Sequence, residues 1–297
     1  MRMTLRQIHI FAAAARCRSF TRASEVLHLS QPAVSMQIKE LEGAAGIPLF
    51  ERSRNSVRLT VAGRELHHYA QRIEQLVTEA SQAMDELQGL KRGSIQISAA
   101  STVSQYGALA VAKFHRRYPG IDITLDVTNR QSLLRRLENN EVDIVLMGFP
   151  PVGKDLAAKP FMENPLVVIG AYNHHFSQRK ELRLHEVCKE LWILREEESG
   201  TRQAVDKFLC GKRMILDRTL HMNNNESVKQ GVAAGLGVAI VSKHTIGMEL
   251  ASRRLRILPV RGLPIKRKWY VLHPKARRLS ASARAFREFV LSGDIKL

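Results

Sequence analysis

The chain has only three cysteines in 297 residues, Cys17, Cys188 and Cys210, an odd and widely scattered set. That excludes a disulfide scaffold and a cysteine-based zinc site, and it fits reduced thiols in a cytoplasmic protein. Long apolar runs are also missing, because charge interrupts every hydrophobic stretch. No bilayer span and no secretory core are therefore expected, and no membrane partner. Low-complexity tracts are absent as well. The adjacent histidine pairs, His67–His68 and His174–His175, lack a third ligand nearby in sequence, so no metal site is expected. No nucleophile with an oriented base, no metal set and no paired carboxylates occur at diagnostic spacing, which argues against an enzyme.

Acid is the last shortage: 28 Asp+Glu against 46 Lys+Arg leave a net charge of +18. Nucleic acid is the usual partner of such a chain. The distribution complicates that reading, since residues 1–90 carry 11 basic and 9 acidic groups, leaving 35 and 19 for the rest. Much of the excess clusters between Arg253 and Arg278. DNA outside the main site, an anion-binding pocket and general solubility each account for such a surplus.

The most informative segment is SFTRASEVLHLSQPAVSMQIKEL, Ser19 to Leu41. Its spacing predicts two short helices meeting at a sharp turn. Ser30 caps the second and Pro32 falls in its first turn, where the missing N–H costs nothing. Ala33, Val34, Ile38 and Leu41 share an inner face; Gln31, Ser35, Gln37 and Lys39 point outward. Gln and Ser both donate and accept, which suits base edges in a major groove. Helix pairs of this kind also occur in all-α proteins that bind nothing, so the flanking segments matter. Upstream, Thr4 and Gln7 form a capping box before a helix whose stripe is Leu5, Ile8, Phe11, Ala12 and Ala15. Downstream, GIPLFERSRNSVRL reads as a hairpin carrying Arg52, Arg54 and Arg58, either a wing that grips phosphates or a solvated charged loop. From Thr60 a long helix runs to about Gly89. Leu66, Ala70, Ile73, Val77, Ala80, Met84 and Leu87 step along it as a coiled-coil seam. Two copies joined there would read an interrupted inverted repeat; packing within its own chain is the alternative.

Beyond Gly93, strands alternate with helices: SIQISAAST, Ala108–Tyr118, IDITLDVT, Ser132–Asn139 and DIVLMG. A second set follows: PLVVIG, LWIL, a helix after Ser199, Glu226–Ala234 and GVAIVS. IKRKWYVLH and a helix over Ala281–Leu291 could return to the first set. The order predicts an α/β domain with mostly parallel sheets. Ligands in such folds sit beyond the carboxyl ends of strands. Four loops qualify: Ser98 to Thr102, with Ser101; Thr128-Asn129-Arg130; Met147-Gly148-Phe149; and Ser199-Gly200-Thr201-Arg202. Each taken singly is an ordinary turn or cap.

The phrases SFTRASEVLHLSQPAVSMQIKELE, GIPLFER and LTVAGREL resemble the winged helix-turn-helix and linker of LysR-type transcriptional regulators. That resemblance implies a winged helix-turn-helix over 1–60, a dimerisation helix over 61–90 and a two-lobed, periplasmic-binding-protein-like effector domain over 91–297. Lobe I would take about 91–164 and 266–297, and lobe II about 165–265. The implied DNA contacts are Thr21, Arg22, Ser30, Gln31, Pro32, Ser35, Gln37, Lys39, Arg52 and Arg54. The implied partners are double-stranded promoter DNA, RNA polymerase, further copies in a homodimer or homotetramer, and a small-molecule co-inducer; no cofactor is implied.

Within the family, IDITLDVTNRQSLLRRLENNEVDIVLMGFPP, ENPLVVIG and ESGTR are most similar to the CbbR group. Those proteins activate carbon-fixation (RuBisCO) operons and sense phosphorylated metabolites or nucleotides such as NADPH. Regulators of other pathways, such as aromatic catabolism or sulfur and nitrogen assimilation, share the same architecture. Phe149 stands where a basic residue is expected, and Glu197-Glu198 where Pro-Gly is expected. Such carboxylates either change the effector or face solvent.

Overall fold

The computed structural model describes residues 3–53, 56–87, 93–153 and 155–295. Two units, Met1–Met84 and Asp85–Leu297, fold around separate cores.

The first unit begins with α1 (Leu5–Cys17), opened by the expected capping box: the Gln7 N–H donates to Thr4 Oγ1 at 3.2 Å and the Thr4 N–H to Gln7 Oε1 at 3.0 Å. α2 (Phe20–Leu27) and α3 (Gln31–Ala45) follow, capped by Ser19 and Ser30. Between them His28 adopts the left-handed conformation (φ 52°), and the N–H groups of His28 and Leu29 close the end of α2 on the Glu25 and Ser24 carbonyls. Val34, Ile38 and Leu41 of α3 are fully buried against Phe11, Ala23 and Phe50. The stripe read along α1 is too narrow. Ile10, Ala13 and Ala14 are buried while Leu5 is 63% exposed, because α2, α3 and the wing cover α1 from more than one side.

The wing is β1 (Phe50–Ser53) paired antiparallel with β2 (Ser56–Leu59). Glu42 holds it from α3, accepting the N–H groups of Leu49 (2.8 Å) and Phe50 (3.1 Å). Thr60 then caps α4 (Val61–Leu87) through the Gly63 N–H and donates its hydroxyl to the Pro48 carbonyl at 2.8 Å. The coiled-coil seam divides along α4. Leu66, Ala70 and Ile73 pack onto the helix-turn-helix core, whereas Val77, Ala80 and Met84 are exposed. Packing within its own chain therefore accounts for the first half of that helix.

Among the described residues, the second unit holds a five-stranded, a three-stranded and a two-stranded sheet. In the first, β3 (Gly93–Ala100), α5 (Ser104–Arg117), β4 (Ile121–Thr128), α6 (Arg130–Glu138), β5 (Ile144–Met147) and β6 (Leu156–Glu163) succeed one another. The second lobe is built from β7 (Leu166–Ala171), α7 (Leu184–Val187), β8 (Leu191–Arg195), α8 (Gly200–Gly211), β9 (Arg218–Met222), α9 (Asn225–Ala233), β10 (Ala239–Ser242), α10 (Gly247–Ala251) and β11 (Leu255–Ile257). The chain then returns to the first lobe as β12 (Lys268–Pro274) and α11 (Ala281–Leu291).

The first sheet runs β4-β3-β5-β12-β6 and is mixed rather than mostly parallel: β3, β4 and β5 are parallel, and β12 is antiparallel to both its neighbours. β6 escapes the sequence pattern because Pro160 interrupts it; as the edge strand, it tolerates a residue without an N–H. In the second lobe β7 is antiparallel to β10 and β11, β8 pairs parallel with β9, and a Trp192–Val238 bridge links β8 to the segment leading into β10. Ile95, Tyr106, Phe114, Trp269 and Phe286 anchor the first core; Trp192, Val205, Leu209 and Ile240 belong to a core of the second.

Two chain crossings join the lobes, side by side and antiparallel. The Asn164 N–H donates to the Arg267 carbonyl (2.7 Å), and Leu166 and Ile265 exchange both of their backbone hydrogen bonds (3.0 and 2.9 Å).

Gly63 is the tightest joint of the first unit, since a β-carbon there would lie 2.0 Å from the Leu49 carbonyl oxygen. Gly63→Ala should cost about 1–3 kcal/mol by forcing α4 away from the base of the wing. A denaturation midpoint equal to the parent's would show that this contact tolerates displacement.

Candidate functional site

Two surfaces carry the residues singled out by sequence. On α3, Ser30, Gln31, Pro32 and Lys39 are exposed, Ser35 and Gln37 half-buried, and Thr21 and Arg22 are exposed on the first turn of α2. The outer face is partly pre-ordered. Gln31 Nε2 donates to Ser35 Oγ at 2.9 Å and Gln37 Nε2 to Glu40 Oε2 at 2.9 Å. Sequence reasoning overlooked two members of this face. Met36, 55% exposed, offers an apolar contact of the kind thymine methyls accept, and the Glu40 carboxylate also accepts from Gln7. On the wing, Arg58 is exposed in register with Glu51. Arg54 and the side chain of Arg52 lie outside the described residues.

The second surface is the cleft between the lobes. It is lined by Ser101, Thr102, Thr128, Asn129, Arg130, Met147, Gly148, Phe149 and Thr201, so all four loops predicted from the strand ends converge there. Two expected residues do not line it. Ser98 is fully buried, because its position on β3 precedes the strand end at which the cleft begins. Arg202 is turned along α8 instead, its Nε donating to both Asp206 oxygens at 2.8 and 2.9 Å and its Nη1 to the Arg195 carbonyl at 3.2 Å. An i,i+4 carboxylate is its nearer partner.

Sequence reasoning missed Asn164, Arg195, Glu196 and Arg267, which also line the cleft. Glu197 and Glu198 are exposed and outside it, so the carboxylate that reaches the cleft is Glu196. Arg195 is 6% exposed. Its Nε and Nη2 donate to Glu196 at 2.7 Å each, while Nη1, buried, meets no acceptor among the described residues. Arg267 Nη1 donates to the Gly200 carbonyl at 2.8 Å, and Gly148 lets its Nη2 come close: a β-carbon there would stand 3.2 Å away. Arg130 donates to the Phe149 carbonyl.

Burial, reinforced by the charge of Arg130, pulls Arg267 down to about 10, and burial alone lowers Arg130. Three guanidinium groups and one carboxylate thus share a confined space. An anion that entered would relieve the repulsion among the cations. The cleft is narrow, about 30 Å³, room for a water or two.

The His174–His175 pair does find a third group, Glu190, at 3.8 and 3.2 Å. The Phe176 N–H donates to His174 Nδ1 at 3.2 Å, which places that ring's proton on Nε2, facing the carboxylate. Burial and the neighbouring His175 hold His174 below its ordinary value. The ligand atoms of the three groups lie within 4.8 Å of one another. Among the described residues, no helix is long and apolar enough to cross a membrane.

A winged helix-turn-helix followed by a two-lobed domain with an anion-compatible cleft defines a ligand-responsive DNA-binding regulator rather than an enzyme. Residues 5–64 match the bacterial regulatory helix-turn-helix protein, lysR family, and residues 88–294 match the LysR substrate binding domain. The chain belongs to the LysR family of transcriptional regulators. A RuBisCO operon transcriptional regulator of Allochromatium vinosum is 47% identical over 292 residues, 98% of this chain and 97% of that one. The HTH-type transcriptional activator CmpR of Synechocystis sp. PCC 6803 is 36% identical over 98% of this chain and 96% of its own length. Among solved structures, the Synechocystis PCC6803 CcmR regulatory domain in complex with 2-PG is 33% identical with a TM-score of 0.65, covering 68% of this chain and 97% of that chain.

Glu196 is the carboxylate that opposes an anion here. Glu196→Gln should raise affinity for inorganic phosphate roughly three- to tenfold at low salt, by removing one negative charge from a partly buried site. Calorimetry that found weaker binding would make Glu196 chiefly a positioning group for Arg195.

Proposed function

We propose that this regulator acts in the cytoplasm and activates a carbon-fixation operon, RuBisCO genes included, when a phosphorylated metabolite enters the cleft. The observation that carries the ligand class is the shared cleft lining of Arg130, Arg195 and Arg267, with Arg195 Nη1 buried and without an acceptor among the described residues. The operon is inferred from the relatives, among them the RuBisCO operon regulator at 47% identity. The CcmR complex with 2-PG supports a small phosphorylated acid as the first ligand to try.

In this reading residues 1–60 contact DNA, 61–90 join two copies and 91–297 bind the effector. Exposed Val77, Ala80 and Met84 on α4 supply apolar surface for a second copy. Two such dimers would hold an interrupted inverted repeat and bend the DNA between its halves, with polymerase recruitment as the output. Because the cleft is already narrow, entry requires the lobes to part about their paired crossings and close again on the ligand. Ligand changes the output only if it binds one arrangement of the tetramer more tightly than the other, since equal affinity shifts nothing.

Gln31, Ser35 and Gln37 are assigned to base readout, and Lys39, Arg52 and Arg54 to phosphates. Arg54→Ala should then weaken binding to specific and random DNA alike and lower the salt slope by about one, whereas Gln31→Ala should cost about 1–3 kcal/mol at its own base pair. Loss of discrimination from the wing variant alone would reverse that assignment. For the cleft, Arg267→Gln should lower affinity for 2-phosphoglycolate at least about tenfold, the scale of a charge-assisted hydrogen bond. Calorimetry on the full chain measures it, and footprinting on a RuBisCO promoter with and without the ligand tests the regulatory reading. A footprint that no phosphorylated metabolite alters would overturn the effector class while leaving the family intact.

A further inference from the structure

The second lobe carries, away from the cleft, a cluster that the regulator's reading does not use. His174 and His175 follow β7 in a turn closed by the His174 N–H on the Ala171 carbonyl (3.0 Å) and the Ser177 N–H on the His174 carbonyl (2.7 Å). Glu190 stands just before β8, whose last residue, Arg195, lines the cleft. That strand is five residues long, so roughly 16 Å of extended chain lies between the cluster and the ligand site. The sequence offers the histidine pair no third ligand nearby; the fold supplies one from the start of the next strand.

Three observations set this cluster apart from a chance meeting of surface groups. First, the rings are held in place. The His174 side chain is only 9% exposed and stacks on His175, centroids 4.3 Å and planes 26° apart, while Phe176 packs on both rings at 5.3 and 4.1 Å. Gly170 of β7 makes room for it, since a β-carbon there would lie 3.2 Å from His174 Cγ. Second, both Nε2 atoms face one carboxylate, His175 at 3.2 Å from Glu190 Oε1 and His174 at 3.8 Å from Oε2, and neither contact has the geometry of a hydrogen bond. Third, in a chain with 46 Lys+Arg, Glu190 pairs with no lysine or arginine among the described residues. Its carboxylate is turned to two nitrogen ligands instead.

Two imidazoles and a carboxylate whose ligand atoms lie within 4.8 Å of one another form the donor set of a divalent transition metal. Bonds of about 2.0–2.1 Å in a tetrahedral zinc site put neighbouring ligand atoms about 3.4 Å apart. The two His–Glu distances, 3.2 and 3.8 Å, bracket that value. We propose that His174, His175 and Glu190 bind a divalent transition-metal ion of the zinc type, with water completing its coordination. Nitrogen donors select such an ion over magnesium or calcium. Capture by His174 Nε2 moves that ring's proton to Nδ1 and gives up the hydrogen bond from the Phe176 N–H; at 3.2 Å that is a long, neutral bond, and the metal bond outweighs it. The ion would tie the turn after β7 to the start of β8. This site stands apart from the cleft, and neither reading depends on the other.

The experiment is calorimetry on the full-length protein with Zn²⁺ and, separately, Mg²⁺. The variants are His175→Ala, at a side chain 62% exposed, and Glu190→Gln, which keeps the shape of the carboxylate; thermal denaturation without metal checks that both fold. The expected result is that the parent binds Zn²⁺ but not Mg²⁺, and that each variant lowers zinc affinity at least about tenfold, the least that loss of even a hydrogen-bonding partner behind a metal's ligands costs. Zinc should raise the thermal midpoint of the parent by mass action and leave both variants where they were. Co²⁺ in place of zinc should give the visible absorption of a tetrahedral ion in the parent and lose it in His175→Ala. Equal zinc affinity in the parent and both variants would assign the binding to other histidines or thiols and overturn the site. A response to only one variant would overturn the three-ligand set, and absence of zinc binding, or Mg²⁺ binding as tight as that of zinc, would overturn the proposal outright.

Discussion

Arg267 is where three constraints of the effector domain meet. It sits at the end of the return crossing, its carbonyl receives the Asn164 N–H of the outgoing crossing, and its guanidinium donates to the first residue of α8 in the opposite lobe. The lobes are therefore registered at the crossings by backbone pairing and across the cleft by a cation. A guanidinium suits that position because its fork can hold a carbonyl with one nitrogen and present another to a ligand. Burial disfavours its charge, which leaves a site whose electrostatics an incoming anion improves. One side chain thus both bridges the lobes and lines the cleft between them.

The DNA-binding unit is organised around a different constraint, dense local packing with little tolerance. Glu42 and Thr60 bind the base of the wing to α3 and α4 through backbone groups, and Gly63 permits the approach. The wing is thus presented at a fixed place beside the recognition helix. On that helix the outward polar side chains already engage neighbours, Gln31 with Ser35 and Gln37 with Glu40. Such bonds limit the rotamers left to freeze in a complex.

The basic surplus outside the first unit, ambiguous when counted along the chain, resolves residue by residue into several uses. Arg277 pairs with buried Asp143 at 2.5 Å, Arg256 lies over the Tyr172 ring at 5.1 Å from its centroid, and Arg254 donates to Gln230. Arg267 belongs to the lining of the cleft. A count of charges cannot separate these cases, because a structural ion pair, a cation–π contact and a ligand site all use the same residue types.

Local chemistry was legible in the sequence. The caps at Thr4 and Ser30, the buried face of α3, the wing hairpin and the four loops at strand ends all depend on residues within a few positions of one another. Tertiary structure decided what depends on distant neighbours. It divided the seam of α4, because only its first half has a core beside it. It made the first sheet mixed by returning β12 between β5 and β6, and it allowed Pro160 on an edge. It turned Arg202 toward Asp206 and brought Arg195 and Arg267, separated by more than seventy positions and marked by no motif, into one cleft. Periodicity and capping are properties of a segment; the partner of a charge is a property of the fold.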